Sequence, residues 1–444
     1  MLDSMTPPPP ELLTRAVETV VPRELAEQKL ASGKPLRLYL GIDPTGSKLH
    51  LGHSVPLRKL KEFQKAGHHV IFLVGSFTAM IGDPTGRDTM REPLTKKQVE
   101  ENFETYKQQA SKILDFSQVE LRYNHEWLEP LKPDEFLRIA SQFTVQQMMQ
   151  RDMFKERMQW KVQCVHCGEL SNSPMQFSSP EDFETATIEG NSVDCPHCGK
   201  RTPCTRDNIF PPANPVTSVE FMYPLMQGYD SVVLDVDCEI GGNDQLFNML
   251  CGRKLQKRFG KREKFVLTTK LIEGTDGRKM SKTYDNCIYL EDSASEMFGK
   301  TLSINDDLIA SYMECCTGIP MQEIAEAKKA MENGANPKEF KVRLAKEIVT
   351  LYHGADAASR AEEEFNRMFQ KGGLPEEMPE VNAEKDELLI NLLVRTKTVS
   401  SKSDAKRLIE QKGIALNDEI VTAMDRKAAK GVVRVGKRKY LKIL

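Results

Sequence analysis

"LYLGIDPTGSKLHLGH", Leu38 to His53, is an apolar run that breaks at Asp-Pro-Thr-Gly and then sets two histidines three residues apart around a glycine. Leu36 to Ile42 reads as a buried strand. His50 to Ala66 carries apolar residues at helical spacing, and His69 to Val74 is a second short apolar run. Strand, helix and strand in that order predict a βαβ unit. Such a unit implies a parallel sheet with right-handed crossovers and ligands at the carboxyl ends of the strands. Two glycine-rich stretches, "GIDPTG" and "VGSFTAMIGDPTG", follow those ends.

Beyond this unit, a strand is expected at Val119 to Tyr123 and another at Ser231 to Asp237, with helical patterns over Thr95 to Leu114 and Asp134 to Gln150. The polar stretch from Cys164 to Cys204 reads as an insertion into the α/β domain. From Asp292 to about Gln370 the pattern is mainly helical, and "KGGLPEEMPE" has linker composition. The fold class expected is α/β, with these domains: a 1–34 N-terminal arm; a 35–291 Rossmann-like parallel-sheet domain with an insertion at about 160–208 and a loop at 274–286; a 292–372 helical domain; a 373–384 linker; and a small 385–444 α+β domain.

The chain has 444 residues, with 62 Lys and Arg against 64 Asp and Glu. A nucleic-acid partner must therefore be met by a local basic region rather than by the whole surface. From Asp386 onward there are fourteen Lys and Arg against seven Asp and Glu, and that is the basic region. The start, "MLDSMTPPPPE", lacks the basic-then-apolar order of a secretory leader. No apolar run approaches the roughly 18 to 20 residues of a membrane span. A cytoplasmic protein with no membrane association is expected, its ten cysteines present as thiols or metal ligands.

His50 and His53 at a helix start would share one face, with Gly52 between them admitting a ligand close to the backbone. A helix N-terminus favours phosphate, and imidazoles there can donate to phosphate oxygens as charge builds. A pair of partly exposed helix histidines fits the same spacing. Zinc fits it less well, since no third ligand is near. In "GRKMSKT", Lys279 and Lys282 flank Ser281 in a loop with Gly274 and Gly277, suited to closing over a polyphosphate or else simply solvated. Tyr223, Gln227 and Asp230 stand four and then three residues apart, on one helical face. "CVHCGE" and "CPHCGK" place Cys164, Cys167, Cys195 and Cys198 in two Cys-x-x-Cys pairs, each followed by glycine. Four thiolates suit a structural Zn2+; free thiols or a disulfide are the alternatives, with His166 and His197 as weaker ligands and Cys204 as a substitute. The segment between the pairs has little apolar material, so a metal would supply stability it lacks.

Taken together, "HLGH" and "KMSKT" resemble the paired signatures of the class I aminoacyl-tRNA synthetases, and over nearly the whole chain the sequence resembles the tyrosyl-tRNA synthetases, in the bacterial form with a C-terminal S4-like domain. The resemblance implies activation of tyrosine with ATP to tyrosyl adenylate and pyrophosphate, then transfer to the 3' end of tRNA(Tyr). It assigns catalysis to His50, His53, Lys279, Lys282 and Thr283. Tyrosine would meet Tyr39, Thr78, Asp83, Tyr223, Gln227, Asp230 and Gln245, with Tyr39 and Asp230 at the phenol. ATP would meet Asp43, Thr45, Gly52, Gly242 and Asp244. Leu40 stands where some relatives carry a small polar residue near the ribose.

The same resemblance implies Mg2+ with ATP, a homodimer, tRNA recognition by the helical domain, and RNA-backbone contacts from the segment containing "SSKSDAKRLIEQKGIALND". Two rivals are a tryptophanyl-tRNA synthetase and a non-catalytic RNA-binding protein of the same fold. Tyr39 with Asp230 and the S4-like tail separate the first. The retained histidines, lysines and pocket residues separate the second.

Overall fold

A computed structural model describes residues 9–83, 94–177, 180–188, 190–212, 216–370, 378–384, 386–399, 401–417, 419–436 and 439–444. It divides into two compact units: Met1–Glu291 with Ala310–Glu326, and Asp292–Ile309 with Ala327–Leu444.

The first unit is built on a six-stranded sheet. Across it lie Val17–Val21, Phe265–Thr269, Cys238–Gly242, Arg37–Ile42, His69–Val74 and Glu120–Tyr123. Only the Val17 strand runs antiparallel to its neighbour. Leu38, Tyr39 and Leu40 are buried in succession, as are Val70 to Val74, because helices cover both faces of a parallel sheet. Leu51–Lys65 forms the crossover helix and buries Leu51, Val55, Leu57, Leu60 and Phe63. The chain moves outward from Arg37–Ile42 in one direction, then returns to add Cys238–Gly242 on its other side. The strand order thus reverses between these two strands, and the crevice beyond their carboxyl ends is where such sheets bind ligands. The loops that leave there contain Asp43 to Gly46 and Asn243 to Gln245.

Two expected elements are corrected. Ser231 to Asp237 is not a strand: Ser231 to Leu234 closes the helix Ser218–Leu234, which Asp235 ends in the left-handed conformation at φ 46°, and the strand begins at Cys238. A short apolar run fits either period, and here its Val232 and Leu234 pack as helix residues. The pattern over Asp134 to Gln150 is two helices, Pro133–Ala140 and Val145–Met148, because Thr144 caps a new start by accepting from the Gln147 N–H.

The insertion forms a three-stranded sheet of Leu170–Asn172, Lys161–Gln163 and Ile209–Phe210, and a separate hairpin of Ser192–Asp194 with Arg201–Pro203. It is not poor in apolar material, as the sequence suggested. Trp160, Val162, Ile188, Cys204 and Ile209 make a small core against Phe177 and Phe183. Cys204 belongs to that core and lies outside the cysteine cluster.

In the second unit, Ala294–Leu302, Pro337–His353 and Ala355–Gln370 are helical. The C-terminal part packs helices Leu389–Arg395 and Lys402–Glu410 on a sheet ordered Glu380–Val381, Lys439–Ile443, Gly431–Val435, Ile414–Leu416, Glu419–Ile420. Its core includes Leu392, Leu393, Ala405, Ile414 and Val433.

Candidate active site

His50 is the N-cap of the crossover helix, and its backbone N–H donates to His53 Nδ1 at 3.2 Å. That bond makes Nδ1 an acceptor, so the neutral His53 ring carries its proton on Nε2. The two rings lie 3.8 Å apart, centroid to centroid. A Cβ on Gly52 would stand 3.0 Å from the His50 ring, so glycine is what lets the ring lie there. Burial, then Lys282 and Lys279, lowers the His53 pKa to about 3. Burial, His53 and the same lysines hold His50 lower still. Both imidazoles are therefore neutral near pH 7, able to donate N–H bonds without carrying charge.

The lysine loop is folded down on this site. A Cβ on Gly46 would lie 2.8 Å from Lys282 Nζ, and Lys279 Nζ is 2.9 Å from Asp244 Oδ2. Each lysine thus meets one of the two loops at the strand-order reversal. Thr283 is exposed, its N–H donating to Ser281 Oγ at 3.3 Å. Asn286, buried and unanticipated, holds the loop together. Its Nδ2 donates to Asp276 Oδ1 at 2.7 Å and to the Lys279 carbonyl at 3.1 Å, while its Oδ1 accepts from the Ser281 N–H at 2.9 Å. Gly274 is required beside it, because a Cβ there would sit 2.3 Å from Asn286 Cγ. Asn286 and the Arg278 N–H also lower the Asp276 carboxyl to about 2.

Helix Ser218–Leu234 starts with a Thr217 and Glu220 capping box and presents Tyr223, Gln227 and Asp230 in line. At the Asp230 end everything is buried. Trp127 Nε1 donates to Asp230 Oδ1 at 2.8 Å, and Asn124 Nδ2 reaches Oδ2 at 3.4 Å. Burial raises Asp230 well above the usual carboxylate range, against the pull of these two bonds. Tyr39 OH is 2.9 Å from Ser231 Oγ, which accepts from Lys264 Nζ at 2.6 Å. Lys264 also forms a buried ion pair with Glu239, the residue beside Tyr39 on the neighbouring strand. Burial and then Glu239 raise the Tyr39 phenol, so it stays protonated.

At the other end, Asp43 accepts from Thr78 Oγ1 at 2.7 Å and from Tyr223 OH at 2.8 Å. Asp43 thus links the loop it shares with Thr45 to two of the residues nominated for the amino acid. Asp83 meets Gln245 Nε2 at 2.6 Å and Arg151 at 3.2 Å. Asn248 links Gln245 to Gln227 through bonds of 3.0 and 2.9 Å. Gly242 leaves room for Asp244, whose Oδ1 would be 2.7 Å from a Cβ there. Hydrogen bonds and close approaches thus join most of the nominated residues in two groups: a buried set with acidic groups at both ends, from Asp230 and Tyr39 to Tyr223, Asp43 and Asp83, and a cationic, imidazole-lined set of His50, His53, Lys279 and Lys282.

Sequence reasoning missed Trp127, Asn124, Ser231, Glu239, Lys264, Asn248, Arg151 and Asn286. One signal existed. Glu239 and Lys264 are charges set within or beside apolar runs, "DCEIGG" and "EKFVL", where an unpaired charge would be costly.

The four cysteines Cys164, Cys167, Cys195 and Cys198 bring their sulfurs within 4.8 Å of one another. His166 is not among them; its Nε2 is 3.1 Å from the Arg201 carbonyl.

A family model described as tRNA synthetases class I (W and Y) matches residues 31–178 and 206–370. One described as a tyrosine–tRNA ligase SYY-like C-terminal domain matches residues 370–443. "Tyrosine--tRNA ligase 2" of Vibrio cholerae is 41% identical over 434 residues, covering 97% of each chain. "Tyrosine--tRNA ligase" of Thermotoga maritima is 40% identical over 437 residues, 97% of this chain and 96% of that one. In fold, the chain is similar to a C-terminally truncated mitochondrial tyrosyl-tRNA synthetase of Aspergillus nidulans, with a TM-score of 0.57, 22% identity, and 80% of this chain against 91% of that one.

Proposed function

The chain belongs to the tyrosine–tRNA ligases, a class I aminoacyl-tRNA synthetase family, and we propose that the buried slot between Asp230 and Asp83 binds tyrosine while the crevice beside it binds ATP. The reaction is activation of tyrosine with ATP, then esterification of tRNA(Tyr). A carboxylate oxygen of tyrosine attacks the α-phosphorus, the bond to pyrophosphate breaks, and a ribose hydroxyl of tRNA then attacks the adenylate's carbonyl carbon, releasing AMP. No covalent enzyme intermediate is needed, so positioning and charge stabilisation supply the catalysis.

In this reading Asp230 accepts the phenol hydroxyl, with Tyr39 beside it, and Trp127 and Asn124 hold the carboxylate in place. Thr78, Asp83, Tyr223, Gln227 and Gln245 surround the ammonium group. His53 donates from Nε2 to phosphate oxygens, with His50 beside it. Lys279, Lys282 and Thr283 close on the polyphosphate, and Asp43, Thr45, Gly52, Gly242 and Asp244 shape the nucleotide site. The observation that carries this is the single helix face that joins both ends of the slot, Tyr223 at one and Asp230 at the other.

The finer assignments proposed with it are Mg2+ accompanying ATP, one structural Zn2+ on the four cysteines, tRNA recognition by residues 292–372, RNA-backbone contacts from residues 385–444, and residence in the cytoplasm. A homodimer is proposed as well. Phe77, Ile81, Leu128, Phe136, Val219 and Met222 line an open apolar groove of about 370 Å³, with Leu137 and Val145 exposed at 67% and 65% in the same region of the chain. No helix among the described residues is long and apolar enough to cross a membrane.

Exchange of labelled pyrophosphate into ATP tests the reading. Tyrosine should drive it and tryptophan should not; exchange driven equally by tryptophan would overturn the assignment of the slot.

A further inference from the structure

The two cysteine knuckles repeat one geometry on two separate sheets. In the first, the Cys164 N–H donates to the Glu169 carbonyl at 2.9 Å and the Gly168 N–H to the Cys164 carbonyl at 2.8 Å. In the second, the Cys195 N–H donates to the Lys200 carbonyl at 3.0 Å and the Gly199 N–H to the Cys195 carbonyl at 2.8 Å. Gly168 and Gly199 have φ of 78° and 70°, a left-handed turn that suits glycine. The knuckles face each other, with sulfur separations of 3.7 Å for Cys164 to Cys198 and 3.7 Å for Cys167 to Cys195. Four sulfurs each about 2.3 Å from a central zinc stand about 3.8 Å apart, the edge of a regular tetrahedron. Thr202 Oγ1 donates to Cys164 Sγ at 3.1 Å, and the His166 N–H to the same sulfur at 3.4 Å, the kind of outer bonds that steady a thiolate ligand.

What such a site would hold is visible at the insertion's stem. The first knuckle sits on the sheet of Lys161–Gln163, and the second on the hairpin Ser192–Asp194 with Arg201–Pro203, and among the described residues no ladder joins the two sheets. Directly before the first sheet, Trp160 is buried in the insertion's core, its ring 4.9 Å from those of Phe177 and Phe183. Three residues earlier, Arg157 grips Glu220 with two bonds of 2.9 and 3.2 Å, both partners buried. Glu220 is the capping-box residue of the helix that presents Tyr223, Gln227 and Asp230. Further back on the same stem, Arg151 reaches Asp83.

We propose that the tetrathiolate zinc is a lock on the tyrosine slot: by pinning the second knuckle to the first, it seats Trp160 and so keeps Arg157 on Glu220 and Arg151 on Asp83. The proposal rests on the zinc reading and adds to it a consequence for substrate binding, with Arg157 a positioning residue. The second cysteine pair lies within residues 179–205, the stretch that the class I family model does not match, whereas the stem lies within the matched part.

The test uses the full chain purified with thiols reduced and without chelator. Metal analysis should find about one zinc per chain. Exchange for Co2+ should give the intense sulfur-to-cobalt absorption of a tetrahedral thiolate site. Removing the metal, or making Cys198→Ser, should raise KM for tyrosine roughly tenfold in pyrophosphate exchange, with kcat changed far less. Added Zn2+ should restore the stripped protein. Arg157→Lys, which keeps the charge but loses the two-pronged contact, should raise KM for tyrosine while leaving zinc content unchanged. A protein that contains zinc, yet keeps its tyrosine KM both after metal removal and in Arg157→Lys, would overturn the lock and leave the zinc site standing. A metal-free protein with all four thiols reduced would remove the zinc reading itself.

Discussion

His53 shows how one backbone bond sets up chemistry. Because Nδ1 accepts from the His50 N–H, the ring presents Nε2–H as a neutral donor. Such a donor matters most when phosphate charge develops. His53→Ala is therefore expected to slow adenylate formation by about 100-fold, while tyrosine affinity measured by equilibrium binding changes little. A second expectation follows from the depressed pKa of about 3. The unfolded chain binds a proton at this histidine below about pH 6.5, whereas the folded protein does not until near pH 3. The unfolded state thus holds more protons in that window, and stability falls as pH drops through it. Thermal unfolding of the free protein between pH 6.5 and 4.5, above the range where paired carboxylates protonate, should show that slope. His53→Gln should make it shallower, His50 supplying the remainder in the same direction. Asp230 makes a third case, since its carboxylate is held by Trp127 and Asn124 with burial all round. Phenylalanine would leave Asp230 without the phenol hydroxyl it is proposed to meet, so Asp230→Ala should erode the preference for tyrosine over phenylalanine, read as the ratio of kcat/KM values in exchange. A loss of roughly 1 to 3 kcal/mol is expected, the cost of leaving a buried hydrogen-bonding group unsatisfied.

The lysine loop is ordered by a residue outside its motif. Asn286 ties together Asp276, Lys279 and Ser281 from a position beyond the last lysine. With an alanine there, the loop would keep its charges and lose its shape. Asn286→Ala should lower kcat for tyrosine activation by roughly 10- to 100-fold, with the binding of tyrosine alone unaffected, because misplacing a charge by an ångström forfeits most of its benefit. Rapid-quench measurement of adenylate formation beside a tyrosine-binding titration separates these two effects.

The proposed activation site and the proposed RNA contacts lie in different parts of the chain. The slot and the crevice belong to the first unit, and the basic C-terminal stretch belongs to the second. Deleting residues 385–444 should leave tyrosine-dependent pyrophosphate exchange within about twofold of the full chain and reduce tRNA charging. It should also flatten the salt dependence of tRNA affinity, because each lost phosphate contact removes close to one unit of the log–log slope. Identical charging and an identical salt slope in the shortened protein would count against RNA contacts from that stretch.

The βαβ unit, the two signature loops and the Tyr223 to Asp230 face were legible in the chain because each depends on local periodicity and on turn residues only a few positions apart. The same locality explains the error at Ser231 to Asp237, where four helix residues and a cap read as a strand until Cys238–Gly242 took the sheet position. What the chain could not disclose are partners brought from afar. Trp127 and Asn124 meet Asp230 across 103 and 106 positions, and Lys264 meets Ser231 across 33. Asp43 turns to Tyr223 across 180. A side chain's type announces what it can bond, but the partner depends on which strands lie side by side. Only the reversal of strand order, which sets Arg37–Ile42 against Cys238–Gly242, decided that an acid, a lysine and a serine would stand behind Tyr39. Sequence patterning therefore carried the fold class and nominated the candidate groups, while tertiary packing chose the buried partners that hold them, since unpaired charges and hydrogen-bond groups are costly to bury and only the assembled sheet brings their complements within reach.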